Sequence, residues 1–216
     1  MDRYGRIALA IAAIAYSTWL LGPWLVPQMP LVSSYASELA ADGVPYADVF
    51  RWGDRITGVV LLFAATRASG WFRIPIAIWG GATLLDSFSP MTCSPSIASA
   101  CVLKNETFPT IQDTLHVVAS STATVASLGA VLAVWYFGPR MTTPWRLVAW
   151  AVVIATGVLI VSSILTELGV AHQGLGYFQR SQLATLSLWT LFAALWWPRD
   201  FLTSPVSDAP PATPSR

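Results

Sequence analysis

The 216-residue chain holds two histidines, and the first lies among groups with which an imidazole can do chemistry. Asp113, His116 and Ser120 are spaced i, i+3 and i+7, on one face of a helix. A carboxylate orienting an imidazole beside a hydroxyl is the arrangement that activates a nucleophile. Spacing alone identifies such a site poorly, because geometry defines it. Asp113 also suits the N-terminal cap of its helix, and Ser120 belongs with small packing residues. Metal chemistry is the second option. His116 and His172 with Asp86 or Glu167 would supply two imidazoles and a carboxylate to zinc. There is no dense ligand motif such as H-E-x-x-H, and His172 lies in a glycine-rich stretch, AHQGLGYFQR, that reads as an exposed loop. No cofactor is therefore expected, with zinc on Asp86, His116 and His172 as the alternative.

The remaining candidates stand where apolar segments end. Asp54 is one turn into the second such segment, Asp86 near the end of the third, and His116 at the start of the fourth. Glu167 ends the fifth, and Arg180 precedes the sixth. Ionisable groups in membrane helices need a partner or a use. Sharing one depth, these groups are expected to converge on a pocket, with Arg55 and Arg180 neutralising Asp54, Asp86 and Glu167. Ser37 and Glu38 lie in SSYASELAADG, a short interfacial helix ended by Gly43 and Pro45. That helix is either a plain lid or one that points Ser37 and Glu38 into the polar ring.

The elements that must position these residues are membrane helices. The chain is 55% hydrophobic and only 11% charged, against about a quarter charged in soluble domains. About 20 apolar residues cross a bilayer, and residues 7–26, 50–66, 71–88, 115–137, 147–168 and 182–197 read as spans. The expected fold is all-α: one six-helix transmembrane domain over 1–202, then a Pro/Ser/Ala-rich disordered tail over 203–216. The first span reads as an uncleaved helix rather than a signal peptide. Small residues in the third and fourth spans (Gly80, Gly81, Ala119, Ala130) suit close helix packing.

Charge sets the orientation. One face holds eight of the twelve Lys and Arg residues but only three of the eleven acids, Asp2, Asp200 and Asp208. Cytoplasmic loops carry the Lys/Arg excess, so both termini are expected inside and the acidic, histidine-bearing face outside. Tryptophans near span ends, including Trp24, Trp71 and Trp145, suit an interfacial belt. Cys93 and Cys101 then lie on the oxidising side and are expected to form a structural disulfide. Asn105-Glu106-Thr107 on the same side fits a glycosylation acceptor pattern. A net charge of +1 and the lack of a basic stripe argue against nucleic acid.

Several of these segments together resemble a bacterial membrane family catalogued as domain of unknown function 998. They are SELAADGVPYADVFRWGD (37–54), LLDSFSPMTCSPSIASAC (84–101), Leu115-His116 and GYFQR (176–180). The resemblance implies a six-helix protein of the bacterial inner membrane with both cysteines outside, and it supplies no activity. It picks out Ser37, Glu38, Asp54, Asp86, Cys93, Cys101, His116, Gln179 and Arg180. Two departures remove metal ligands and weaken a metal-hydrolase reading: Thr92 precedes Cys93 where the family often has an acid, and residues 111–114 lack a second histidine. A more distant similarity, to the membrane hydrolases of the ceramidase and progestin-receptor-like superfamily, would cast Ser37, Asp86 and His116 in catalytic roles. The last span holds no histidine, so that similarity is analogy only.

The favoured expectation is a non-enzymatic membrane protein with an outward pocket for a lipid headgroup, small ligand or partner membrane protein. That pocket is built from Ser37, Glu38, Asp54, Asp86, His116, Glu167, Gln179 and Arg180. The alternative is a membrane-embedded, metal-assisted hydrolase of lipids or lipid-linked substrates using Ser37, Asp86 and His116. A transporter comes third, since the charges cluster at one end rather than at the midplane.

Overall fold

Asp2 starts the first helix by accepting the Gly5 N–H at 2.9 Å, and α1 then runs Arg3–Ala15. The expected first span is not one continuous α-helix. Ser17 turns its hydroxyl onto the Ala13 carbonyl, a 3-10 turn covers Thr18–Leu21, and α2 is a single turn, Gly22–Leu25. Pro23 helps keep the turn from continuing as α-helix: it has no N–H to donate to the Trp19 carbonyl, which accepts from the Gly22 N–H instead.

The structure, a computed structural model, describes residues 1–68, 70–98, 100–101, 110–137, 143–167 and 174–196, without the side chains of 135–137, 163, 164, 166, 167 and 196. A second 3-10 turn, Ala36–Ala40, occupies the expected interfacial helix. Four long helices follow α3 (Ala47–Arg67): α4 (Arg73–Phe88), α5 (Ile111–Phe137), α6 (Thr143–Glu167) and α7 (Leu175–Trp196). No strand occurs among the described residues. The 203–216 tail lies outside them.

Each long helix packs on the next, and α7 returns to α1, so the six form a closed ring of neighbours. At one end Arg67 meets Asp2 at 2.5 Å, and Arg6 donates to the Ala194 and Leu195 carbonyls of α7. The start of α1 and the ends of α3 and α7 therefore sit together. Small residues make the tightest crossings. A Cβ on Gly58 would fall 2.8 Å from the Gly80 carbonyl, and one on Gly80 2.9 Å from that of Gly58, so α3 and α4 touch backbone to backbone. Ala119, Ala123, Ala126 and Ala130 of α5 are buried at a helical period.

Three helices are long and apolar enough to cross a membrane: Arg3–Leu25, Ile111–Val134 and Thr143–Ser162. The other expected spans form helices but fall short of that measure among the described residues. α3 carries Asp48, Arg51, Asp54, Arg55 and Arg67, and α4 has only 16 residues. Apolar side chains point outward, with Ile14 74%, Val125 65%, Leu147 64% and Ile154 61% exposed. Surfaces of that kind suit lipid rather than water. Trp24 and Trp71 are exposed. Trp145 does not join the expected belt: it is buried, edge-on to Trp189 and Phe192.

Candidate functional site

A layer of short segments covers the other end of the ring, and Glu38 holds it together. This carboxylate is 2% exposed. One oxygen accepts from the Ser94 hydroxyl at 2.7 Å and the Ser96 N–H at 2.9 Å. The other accepts from the Tyr35 N–H at 2.8 Å and the Ser96 hydroxyl at 3.0 Å. Cys93 and Cys101 form a disulfide in the same loop, as expected. Asp113 ties the loop to α5. It accepts from the Thr92 N–H and hydroxyl, and it forms a reciprocal cap with Thr110, which accepts the Asp113 N–H and donates back to its carboxylate. Asp113 therefore does not orient His116. Ser120 donates to the His116 carbonyl in a helical back-bond, so the three residues of one helix face make no catalytic relay.

The imidazole partner is Asp86, on α4. His116 Nδ1 lies 2.8 Å from Asp86 Oδ1, a contact that is an ion pair when the imidazole is protonated and in which neither atom has hydrogen-bond alignment. The end of α4 and the start of α5 adjoin across the lid, which brings together residues 30 apart in sequence. Asp86 lines a cavity of about 90 Å³ beneath the Ala36–Ala40 turn, several times the space one water needs. Ser37, Asp54 and Gln179 line it too, as do Tyr16, Trp19, Phe50, Thr83 and Gln182. The Gln179 side-chain carbonyl also accepts the Ala36 N–H at 2.5 Å, joining α7 to the lid.

Asp54 faces this cavity with no hydrogen bond or ion pair among the described residues. The expected neutralising arginines are elsewhere. Arg55 stacks over Trp52 and Phe88, 5.0 and 4.8 Å from the ring centres. Arg180 donates to the Leu31 and Ser34 carbonyls at 2.7 and 2.5 Å. Both carry their charge away from Asp54 because a guanidinium can be satisfied by aromatic faces or carbonyls as well as by a carboxylate. Thr83 is 4% exposed and its hydroxyl has no partner among the described residues. Gln182 is 2% exposed with no side-chain partner among the described residues.

A second, larger space of about 460 Å³ borders the first. The two share Ser37, Ser120, Thr124 and Gln179. The larger one runs between α5 and α6, with Val117, Val125, Leu159 and Ile160 as apolar walls and His116 at its polar end. Among the described residues α5 and α6 are the least closely joined neighbours in the ring.

The cavity and groove thus bring together Ser37, Asp54, Asp86, His116 and Gln179 of the sequence-derived set. Glu38 and Arg180 serve the lid and the loop over 31–34 instead. Glu167 ends α6, and its side chain, like His172 and Asn105-Glu106-Thr107, lies outside the described residues. Among the described residues no three His, Cys, Asp or Glu side chains converge as metal ligands. Tyr16, Trp19, Phe50, Thr83 and Gln182 escaped sequence reasoning. The signal for Gln182 was its position three residues after Gln179, on one face of a helix that begins at Leu175 rather than at 182.

The family model described as "Protein of unknown function (DUF998)" matches residues 9–196, and the chain belongs to that family. No curated protein and no solved structure matches it.

Proposed function

We propose that this member of the family spans the membrane six times, with both termini cytoplasmic, and binds a lipid-like ligand from the outer leaflet. The polar head enters the small cavity, and the apolar chain lies in the groove between α5 and α6. One observation carries this reading: a small cavity bearing Asp54, Asp86, Thr83 and Gln182 and a more apolar groove share a wall of Ser37, Ser120, Thr124 and Gln179. An amphipathic molecule is the ligand whose two halves fit two such adjoining spaces. The sorted charges and the disulfide support the orientation, since the lidded end is the acidic one.

The test is native mass spectrometry of the full chain released from nanodiscs. Retained lipid in the parent, lost when Val125→Trp fills the groove, supports the reading. A lipid-free protein, or retention indifferent to Val125→Trp, overturns it.

A second reading has its own observation. Asp86 Oδ1 lies beside His116 Nδ1, and a neutral imidazole there would present Nε2 as a general base for a proton transfer at the groove. Hydrolysis of a lipid ester, absent in His116→Gln, would establish it. Lipid binding without turnover would leave the binding reading alone standing.

A further inference from the structure

We infer that the small cavity recognises an ammonium group. The inference deepens the reading above, because it names the chemistry of the head that the cavity takes.

Asp54 is the starting point. It faces the cavity with no hydrogen bond or ion pair among the described residues, while Asp86 is already paired with His116. Arg51 and Arg55, the cations nearest in sequence, are engaged with Asp42 and Asp48 and with aromatic rings, and Arg180 with carbonyls. A carboxylate in a low-dielectric site is costly without a compensating charge. A cationic ligand would supply one.

The rest of the wall selects the kind of cation. Tyr16, Trp19 and Phe50 line the same space, and aromatic faces attract ammonium groups, quaternary ones above all. Tyr16 is held by an edge contact to buried Trp79, 5.7 Å between ring centres. A hard divalent ion would need six or more oxygen ligands. Aromatic walls do not supply them, and no three ligating side chains converge among the described residues. The buried Gln182 amide and Thr83 hydroxyl, both without partners among the described residues, add acceptors for N–H or O–H groups beside the charge. Ethanolamine-type and choline-type groups present this chemistry, either as lipid heads or as free amines.

The experiment uses the full chain in detergent and in nanodiscs. Tetramethylammonium and ethanolamine are titrated by calorimetry. In parallel, retention of phosphatidylethanolamine and phosphatidylcholine is compared with phosphatidylglycerol by native mass spectrometry. The expected result is about tenfold preference for the ammonium lipids, abolished in Asp54→Asn and reduced in Tyr16→Leu. Should Asp54→Asn fail to fold, Tyr16→Leu and Trp19→Leu still carry the test, since both keep the carboxylate. Binding of the free amines without any retained lipid would support the ammonium site, assign it to a solute, and overturn the lipid reading. Phosphatidylglycerol retained as well as the others, with Asp54→Asn and Tyr16→Leu indifferent, would overturn the ammonium site and leave the lipid reading standing. No binding of amine or lipid would overturn both.

Discussion

Replacing Glu38 by Gln changes one atom of a buried carboxylate and should loosen the whole lid. Both oxygens act only as acceptors, from Ser94 and Ser96 on one and Tyr35 and Ser96 on the other. An amide presents a donor in place of one of them. A serine hydroxyl can rotate to accept from that donor, but a backbone N–H cannot. Whichever way the amide turns, the N–H of Ser96 or of Tyr35 then faces another donor. An orphaned buried donor costs roughly 1–3 kcal/mol, and the other bonds lose their charge assistance. We expect a net cost of about 2–3 kcal/mol. The opposing effect is relief of a buried charge with no salt-bridge partner among the described residues, which in other settings makes neutral replacements as stable as the parent. Four short donors outweigh it here. At roughly 2–4 °C per kcal/mol for a chain of this size, thermal unfolding in detergent should fall by about 4–12 °C. The Cys93–Cys101 bond should also become more accessible to a mild reductant. A coupling of about 1 kcal/mol with Ser94→Ala in a double-mutant cycle would assign the loss to this contact. A Gln variant that melts within 1 °C of the parent, or above it, refutes the reasoning.

Other perturbations probe the packing beneath the lid. Gly58→Leu should cost about 2–3 kcal/mol, because its Cβ meets the Gly80 carbonyl and the Leu84 N–H at 2.8 Å and backbone must move; the unfolding midpoint reads it directly. Arg180→Leu removes the donors to the Leu31 and Ser34 carbonyls and should cost roughly 1–3 kcal/mol, with faster hydrogen exchange confined to residues 31–36. Reducing the disulfide, which closes a loop with a sequence separation of 8, should lower stability by about 2–3 kcal/mol on loop entropy, measured by melting with and without reductant. On intact cells, a membrane-impermeant maleimide should label Cys93 and Cys101 after reduction but not a cysteine placed at Ser204, as the proposed orientation requires.

The helices were legible because apolar runs and punctuating residues are local signals. The existence of all six long segments followed from them, and so did the turn at Ala36–Ala40. Their ends were harder. α7 begins at Leu175 because Gly174, at φ +94°, sets the backbone before it, whereas the glycines of AHQGLGYFQR made that first stretch look like a loop. The site was legible only as far as charge is. Asp54, Asp86 and His116 stand out in an apolar chain, and they lie around the adjoining cavity and groove. Their pairings were not readable, since Asp86 meets His116 through the fold and not through helical spacing. Arg55 and Arg180 have alternatives to carboxylates that no sequence window reveals. Tyr16, Trp19 and Phe50 read as ordinary membrane aromatics until tertiary packing sets them on the cavity that Asp54 also lines. Glu38 shows the reverse: its type suggested a ligand, but its four donors bind it to the lid.

The proposed function depends on what occupies the cavity and groove. A density map of the full chain in nanodiscs containing phosphatidylethanolamine and phosphatidylglycerol addresses this most directly. It should show one elongated molecule with its apolar part between α5 and α6 and its amine beside Asp54. Lipid confined to the outer surface of the ring, with the groove closed by protein side chains, would contradict it.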